Sequence, residues 1–296
     1  MKVLVTGAKG QLGSDLGPRL RAAGFDALSL SSVELDIADP SAVASVVEKQ
    51  RPGIIINSAA YTKVDLAEKE RERAFAVNEK GAVNLAKAAR DAGAALVHVS
   101  TDFVFDGSSS APYKEDAPTN PLSAYGSSKL AGERGIEGTL GEHVIVRTSW
   151  LYGVTGNNFV KTILRLASER ETLRIVYDQV GTPTWSADLA AALTDISKAI
   201  ERGERSWGVY HYSNEGVASW YDFALAVCEE ARALGMPLKC SSVEPILTVE
   251  YPTPAQRPAF SVMDKAKIKK TFNLKVPHWR VSLRSMLKEL HGGSHA

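Results

Sequence analysis

Tyr125 and Lys129 stand four residues apart in the run Tyr125-Gly126-Ser127-Ser128-Lys129. On a helix that spacing puts both side chains on one face. An ammonium beside a phenol lowers its pKa from about 10, and a phenol so tuned is a general acid for a carbonyl under reduction. Upstream lies Val5-Thr6-Gly7-Ala8-Lys9-Gly10-Gln11-Leu12-Gly13, with its glycines spaced G-x-x-G-x-x-G. Between a strand and a helix, such a turn suits a dinucleotide pyrophosphate. It offers a positive-φ bend, close backbone approach and tight helix–strand packing. Gly7, Gly10, Gln11, Leu12 and Gly13 are therefore the expected cofactor cradle. Thr101, at the end of Ala95-Leu96-Val97-His98-Val99-Ser100-Thr101, is a third candidate. Open α/β sheets place ligand groups at the carboxyl ends of their strands, where a hydroxyl can meet a substrate oxygen beside the phenol.

These groups need a frame, and the first half supplies one. Short β-branched runs, Lys2–Thr6, Asp26–Leu30, Ile54–Asn57, Ala95–Ser100 and Val144–Arg147, alternate with helical stretches at about 11–23, 39–50 and 70–92. Strands alternating with helices imply right-handed crossovers and a parallel sheet, and the unbroken apolar Ile54-Ile55-Ile56 implies that both faces are covered. The predicted class is α/β: a Rossmann-like, doubly wound parallel sheet over 1–148. A smaller α/β substrate domain is expected over 149–291, interleaved with segments returning to the first. It begins where the alternation weakens, with helices at about 158–168, 186–202 and 219–234 and a strand at Val209–Tyr212. The Ser/Pro/Asp-rich stretch 106–123 has no periodicity and reads as a functional or mobile loop. Gly292 to Ala296 reads as a frayed end.

The 296 residues carry a formal net charge of +1 and no basic block, which argues against nucleic acid or a membrane surface as partner. No run approaches the roughly 20 apolar residues of a membrane span, and the apolar start is too short for a secretion signal. Cys228 and Cys240 show no metal or redox spacing. A disulfide between them stays open, but reduced thiols in the cytoplasm are the favoured reading.

The second strand ends Leu30-Ser31-Ser32, with no carboxylate before Glu34. An acidic residue there would accept from the 2′-hydroxyl of NAD, so NADPH is favoured, with NADH tolerated. Asp36 and Ile37 are candidate adenine contacts, although Asp36 also reads as an ordinary aspartate before a helix.

The Thr–Tyr–Lys set together with the glycine turn resembles the extended short-chain dehydrogenase/reductase superfamily. Several runs narrow the likeness: Ala59-Ala60-Tyr61-Thr62-Lys63-Val64-Asp65, Ser100-Thr101-Asp102-Phe103-Val104-Phe105-Asp106-Gly107, Arg147-Thr148-Ser149-Trp150-Leu151-Tyr152-Gly153, Gly156-Asn157-Asn158-Phe159-Val160 and Asp178-Gln179-Val180-Gly181-Thr182-Pro183-Thr184. They are similar to members that reduce the 4-keto group of a dTDP-linked 6-deoxyhexose, and the likeness runs to about Leu290. It implies Tyr125 as proton donor, Lys129 as ribose-binding modulator and Thr101 as carbonyl polariser. It implies Ala59, Ala60 and Tyr61 on the nicotinamide side. Substrate contacts are implied at Val64, Asp102, Phe103, Trp150 and Arg257. Trp150 also reads as a core tryptophan, and Arg257 equally as a solvated surface arginine. Related dehydratases carry a glutamate where this chain has Phe103; a phenyl ring is neither acid nor base, so reduction is favoured over elimination. Some members dimerise through magnesium, and Asp15 and Asp188 fall at the matching acidic positions, with Glu289 a candidate third. Aspartate reaches less far than the glutamate of those members, so solvated carboxylates are favoured over Mg2+, and a homodimer stays open. Two other readings remain: a reductase of another nucleotide-linked ketosugar, and a non-catalytic NADP-binding regulatory subunit.

Overall fold

The computed structural model describes residues 1–293. The first half runs β1 (Lys2–Thr6), α1 (Gln11–Ala22), β2 (Asp26–Leu30), α2 (Pro40–Gln50), β3 (Ile54–Asn57), α3 (Val64–Ala67), α4 (Arg71–Phe75), α5 (Ala82–Ala92), β4 (Ala95–Thr101), α6 (Ala124–Glu137) and β5 (His143–Thr148). The helix expected at 70–92 is α4 and α5 joined by a π-helical turn, Ala76–Gly81. The second half adds β6 (Leu151–Tyr152), α7 (Phe159–Glu169), β7 (Thr172–Val176), β8 (Val180–Gly181), β9 (Thr184–Trp185), α8 (Ser186–Glu201) and β10 (Gly208–His211). It closes with β11 (Ala218–Ser219), α9 (Trp220–Ala233), β12 (Ser242–Ile246), α10 (Ala266–Phe272) and α11 (Trp279–Gly293). Gly292 and Gly293 thus continue a helix rather than fraying. The rest of that tail, 294–296, lies outside the described residues.

Six strands form one sheet in the order β10-β5-β4-β3-β1-β2, with every neighbouring pair parallel. The chain leaves β1 for β2 on one side, while β3 lies on the other. The topological switch point, where open α/β sheets bind ligands, is therefore between β1 and β3. Alternate residues of each strand serve opposite faces. Val3, Val5, Ile54, Ile56, Val97, Val144 and Val146 pack with α1 and α8 residues such as Leu16, Leu20, Leu189 and Leu193. Leu4, Ile55, Leu96 and Ile145 pack with Val43, Val47, Leu85, Ala89 and Ile136 from α2, α5 and α6. Two covered faces explain strands that are apolar without alternation.

Two elements from beyond residue 148, α8 and β10, belong to this sheet and its cover. The remaining pairs β6–β9, β7–β12 and β8–β11 surround a separate core of Tyr152, Val160, Ile163, Phe223, Val227, Trp279, Leu283 and Met286. Helix α9 enters through a reciprocal capping box between Ser219 and Asp222. The stretch 106–123 is tied down. Asp106 accepts from the Ser108 N–H and hydroxyl, the Tyr113 hydroxyl and the Asn120 amide, and the Tyr113 ring stacks on Phe105 at 4.1 Å.

Candidate active site

At the β1–α1 turn the three glycines divide the work. Gly7 has φ +74°, and a Cβ there would fall 2.7 Å from the Ala59 nitrogen after β3. A Cβ on Gly13 would strike the Gly7 carbonyl and the Ala8 Cα, 2.8 Å away for the latter. Both positions are closed by backbone. At Gly10 the only neighbour a Cβ would find is the Gly7 carbonyl oxygen, at 3.2 Å, so Gly10 fronts open space. It is also the N-cap of α1 and brings no side-chain cap. The first-turn N–H groups are left to meet an anion, which the positive end of the helix favours. This cradle fits a dinucleotide pyrophosphate, with Gln11 and Leu12 in its first turn.

The adenosine end holds a residue the sequence reading passed over. Glu34 folds back so that its Oε2 accepts from the Ser31 N–H at 2.9 Å and the Ser31 hydroxyl at 2.7 Å. Those bonds hold the Glu34 carboxyl below its usual range. A carboxylate therefore does sit at the end of β2, delivered by a turn rather than by the strand. Asp36 is exposed, its Oδ1 accepting from the Ala38 N–H. Ile37 is buried in the core, and its carbonyl accepts from Asn84.

Thr101, Tyr125 and Lys129 converge because β4 ends where α6 begins to cross it. Ser123 caps α6 by accepting from the Gly126 N–H. Gly126 and Gly132 let the helix lie against the carbonyls of Phe103 and Asn78, where no Cβ would fit. Asn78, in the π-helical turn, accepts from the Tyr61 N–H at 2.8 Å and donates to the Tyr61 carbonyl and the Ser128 hydroxyl. It thereby joins the Ala59-Ala60-Tyr61 stretch to α6. The Phe103 ring meets Tyr125 edge-on, centroids 5.6 Å apart. Thr101 donates to Asp102 Oδ1 at 3.0 Å and accepts from the Phe103 N–H. Asp102 is buried, and burial pushes its carboxyl up to about 6, opposed by the Ser261 and Thr101 hydroxyls.

One electrostatic expectation is reversed. Burial pushes the Tyr125 phenol up to about 12, opposed by the Thr101 hydroxyl and reinforced by the Asp102 carboxylate. No lowering by Lys129 offsets the burial of the phenol, and burial drives the lysine itself down to about 8. The Lys129 amine instead donates to the Val99 carbonyl at 2.7 Å and lies 3.2 Å from His98 Nε2.

The substrate-side residues separate into two groups. Val64 opens α3, whose Asp65 clasps Arg257 through two bonds of 3.1 and 2.7 Å. Arg257 is therefore a paired arginine, tying the segment after β12 to α3. Trp150 adopts φ +46°, which is uncommon for a bulky residue. It stacks on Trp220 with centroids 3.5 Å apart, while Gly181 leaves room for its indole. Asp15 accepts from Ser186 at 2.5 Å, and Asp188 accepts from Asn214 and Ser282. Glu289 lies on α11. Among the described residues, no three Asp, Glu, His or Cys side chains gather as a metal-binding group.

A parallel sheet with a glycine cradle at its switch point, and a Thr–Tyr–Lys cluster at the end of β4, defines a nicotinamide-dependent oxidoreductase of the short-chain dehydrogenase/reductase type. Comparison with known proteins narrows this. The family described as RmlD substrate binding domain matches residues 1–291. The dTDP-4-dehydrorhamnose reductase of Aggregatibacter actinomycetemcomitans is 44% identical over 287 residues, spanning 96% of this chain and 98% of that protein. The crystal structure of a dTDP-4-dehydrorhamnose reductase from Clostridium acetobutylicum superposes with a TM-score of 0.91 at 39% identity, covering 98% of this chain and all of that one (100%). The one from Bacillus anthracis, solved in complex with NADP, gives 0.90 at 42% identity, covering 97% and 99%. The chain belongs to the RmlD family of dTDP-4-dehydrorhamnose reductases.

Proposed function

We propose that this enzyme reduces the C4 ketone of dTDP-4-dehydrorhamnose (dTDP-4-dehydro-6-deoxy-L-mannose) to dTDP-L-rhamnose, with NADPH as reductant and NADH accepted less well. The observation that carries the reading is the meeting of the Thr101 hydroxyl and the Tyr125 phenol beside the Phe103 ring, where elimination would need an acid or base. The relatives' names and the NADP complex support the same reaction.

Gly7, Gly10, Gln11, Leu12 and Gly13 would hold the pyrophosphate, Ser31, Glu34 and Asp36 would meet the adenosine, and Lys129 the nicotinamide ribose. The bound dihydronicotinamide would supply the hydride that C4 receives. Tyr125 gives its phenolic proton to the C4 oxygen, and a phenol kept protonated by burial is suited to that. Thr101 turns its hydroxyl from Asp102 toward the same oxygen, polarising the carbonyl. Val64, Phe103 and Trp150 would contact the sugar nucleotide, and Arg257, paired here with Asp65, would have to leave that carboxylate to meet the diphosphate. We assign 1–148, with α8 and β10 returning to it, to cofactor binding and the rest of 149–291 to the sugar nucleotide. Two free, buried cysteines support a reducing, cytoplasmic setting.

The test is NADPH oxidation with the ketosugar generated in situ from dTDP-glucose by a dehydratase and an epimerase. Turnover only with a different nucleotide-linked ketosugar would reassign the substrate. No turnover, with a stoichiometric protein partner recovered, would make the chain a regulatory subunit.

A further inference from the structure

Thr6, Asn57 and His98 are buried polar residues on three adjacent strands that are otherwise apolar at their centres. They stand in register, Thr6 opposite Asn57 and Asn57 opposite His98. All three continue the face carrying Leu4, Ile55 and Leu96, so their side chains meet beneath α6. The Thr6 hydroxyl donates to Asn57 Oδ1 at 2.7 Å, and the Ala59 N–H donates to the same oxygen at 3.1 Å. A backbone N–H can only donate, which fixes the Asn57 amide. Its NH2 must then face His98 Nδ1, 3.0 Å away. Nδ1 therefore accepts, and a neutral imidazole carries its proton on Nε2. That nitrogen faces Lys129 Nζ at 3.2 Å, and Nζ itself donates to the Val99 carbonyl. An ammonium has no lone pair to receive an N–H; an amine has one.

We propose that His98 is a positioning residue. The one-way donor chain from Thr6 and Ala59 through Asn57 and His98 favours the uncharged form of the Lys129 amine in the unliganded enzyme. This rests on the reading of Lys129 as part of the reductase site. The opposite polarity would require Asn57 to turn its amide, setting an NH2 against the Ala59 N–H. The charged groups around Lys129 do not oppose the assignment. Glu133, one turn along α6, favours an ammonium, but it is already paired with Arg147 of β5 at 2.7 Å and accepts from Ser100. Tyr125, one turn before, stays a neutral phenol. His98 is held neutral first of all by its burial. Lys129 then meets the ribose as a charged group only where it holds its proton, so cofactor affinity falls at high pH. Because Asn57 also holds the Ala59 N–H, the lysine's charge is linked to the strand end beside the nicotinamide.

The polarity is read directly by nitrogen-15 NMR of the imidazoles in the whole enzyme, with His98→Gln identifying the resonance. We expect a neutral ring protonated on Nε2. A proton on Nδ1, or on both nitrogens, overturns the proposal. Asn57→Asp keeps the acceptor for Thr6 and Ala59 but now accepts from Nδ1–H, so His98 should switch tautomer and Lys129 should keep its proton. The pH midpoint of NADPH affinity should rise by about one unit, and Lys129→Met should abolish that midpoint. A midpoint unmoved in folded Asn57→Asp overturns the positioning role; if that variant does not fold, the wild-type spectrum decides. The spectrum involves no turnover, so failure here is distinct from failure of the reductase reading, which the ketosugar assay decides.

Discussion

At the scale of single residues, the proposed chemistry rests on a phenol that burial keeps protonated. Burial pushes the Tyr125 phenol up to about 12, so it should stay a proton donor through the usual assay range, with activity lost to its ionisation only at strongly alkaline pH. Tyr125→Phe should lower kcat by roughly 10²–10⁴-fold while NADPH binding, followed by fluorescence titration, changes little. Near wild-type turnover would take the residue out of the mechanism. The Glu34 carboxylate caps Ser31 at the end of β2, where the proposed site would receive the adenosine ribose. Removing that charge, which is like that of a 2′-phosphate, should raise the NADPH-to-NADH ratio of kcat/KM in Glu34→Gln. The variant keeps an acceptor for Ser31, so an unchanged ratio would separate Glu34 from cofactor choice. The Tyr–Lys spacing and the glycine turn were legible in the sequence because they are local. Glu34 was not, because a turn brings it back to the strand end. The destination of the Lys129 amine was not either, since it depends on His98, thirty-one positions away, and on strand register.

At the scale of elements, α1 and α6 set the geometry. Gly10→Val should leave the fold standing while weakening NADPH binding at least tenfold, a loss of about 1.4 kcal/mol, because the branched side chain fills the space before the α1 N-terminus. An unaltered titration in the folded variant would make the turn purely structural. Gly132→Ala pits two effects against each other. Alanine in a helix interior gains about 1 kcal/mol over glycine, but its Cβ would press into the Asn78 carbonyl, and overpacking costs about 1–3 kcal/mol. Backbone cannot rotate aside, so net destabilisation in urea and a fall in kcat/KM are expected together. A more stable, fully active variant would show that α6 has slack. Strand and helix positions in the first half were legible from apolar runs and breaks. The π-helical turn at Ala76–Gly81 was not, because one extra residue per turn barely disturbs a helical pattern. The two-residue strands β6, β8, β9 and β11 are too short to show any period.

At the scale of the whole molecule, the chain interleaves its two cores. Helix α8 and strand β10 come from the second half, yet they complete the first half's sheet and cover. The N-terminal amine reaches Glu201 at the end of α8 at 2.9 Å. Unfolding should therefore be cooperative across both cores, and a ligand held by the first should protect the second. NADPH at about one hundred times its dissociation constant adds about 2.7 kcal/mol to the folded state. A thermal melt should move up by several degrees as one transition, and a second, unmoved transition would mean that the cores unfold separately. The Trp150–Trp220 pair draws a different kind of consequence from this layout. One indole follows β5 of the main sheet and the other begins α9 of the second core, and their planes lie 6° from parallel. Aromatic rings that close share their electronic excitation instead of absorbing independently. Their joint circular-dichroism signal depends on distance and angle. The protein thus carries a built-in optical gauge on its second core where the chain enters it from β5, sensitive to any shift of α9 against that entry and needing no attached dye.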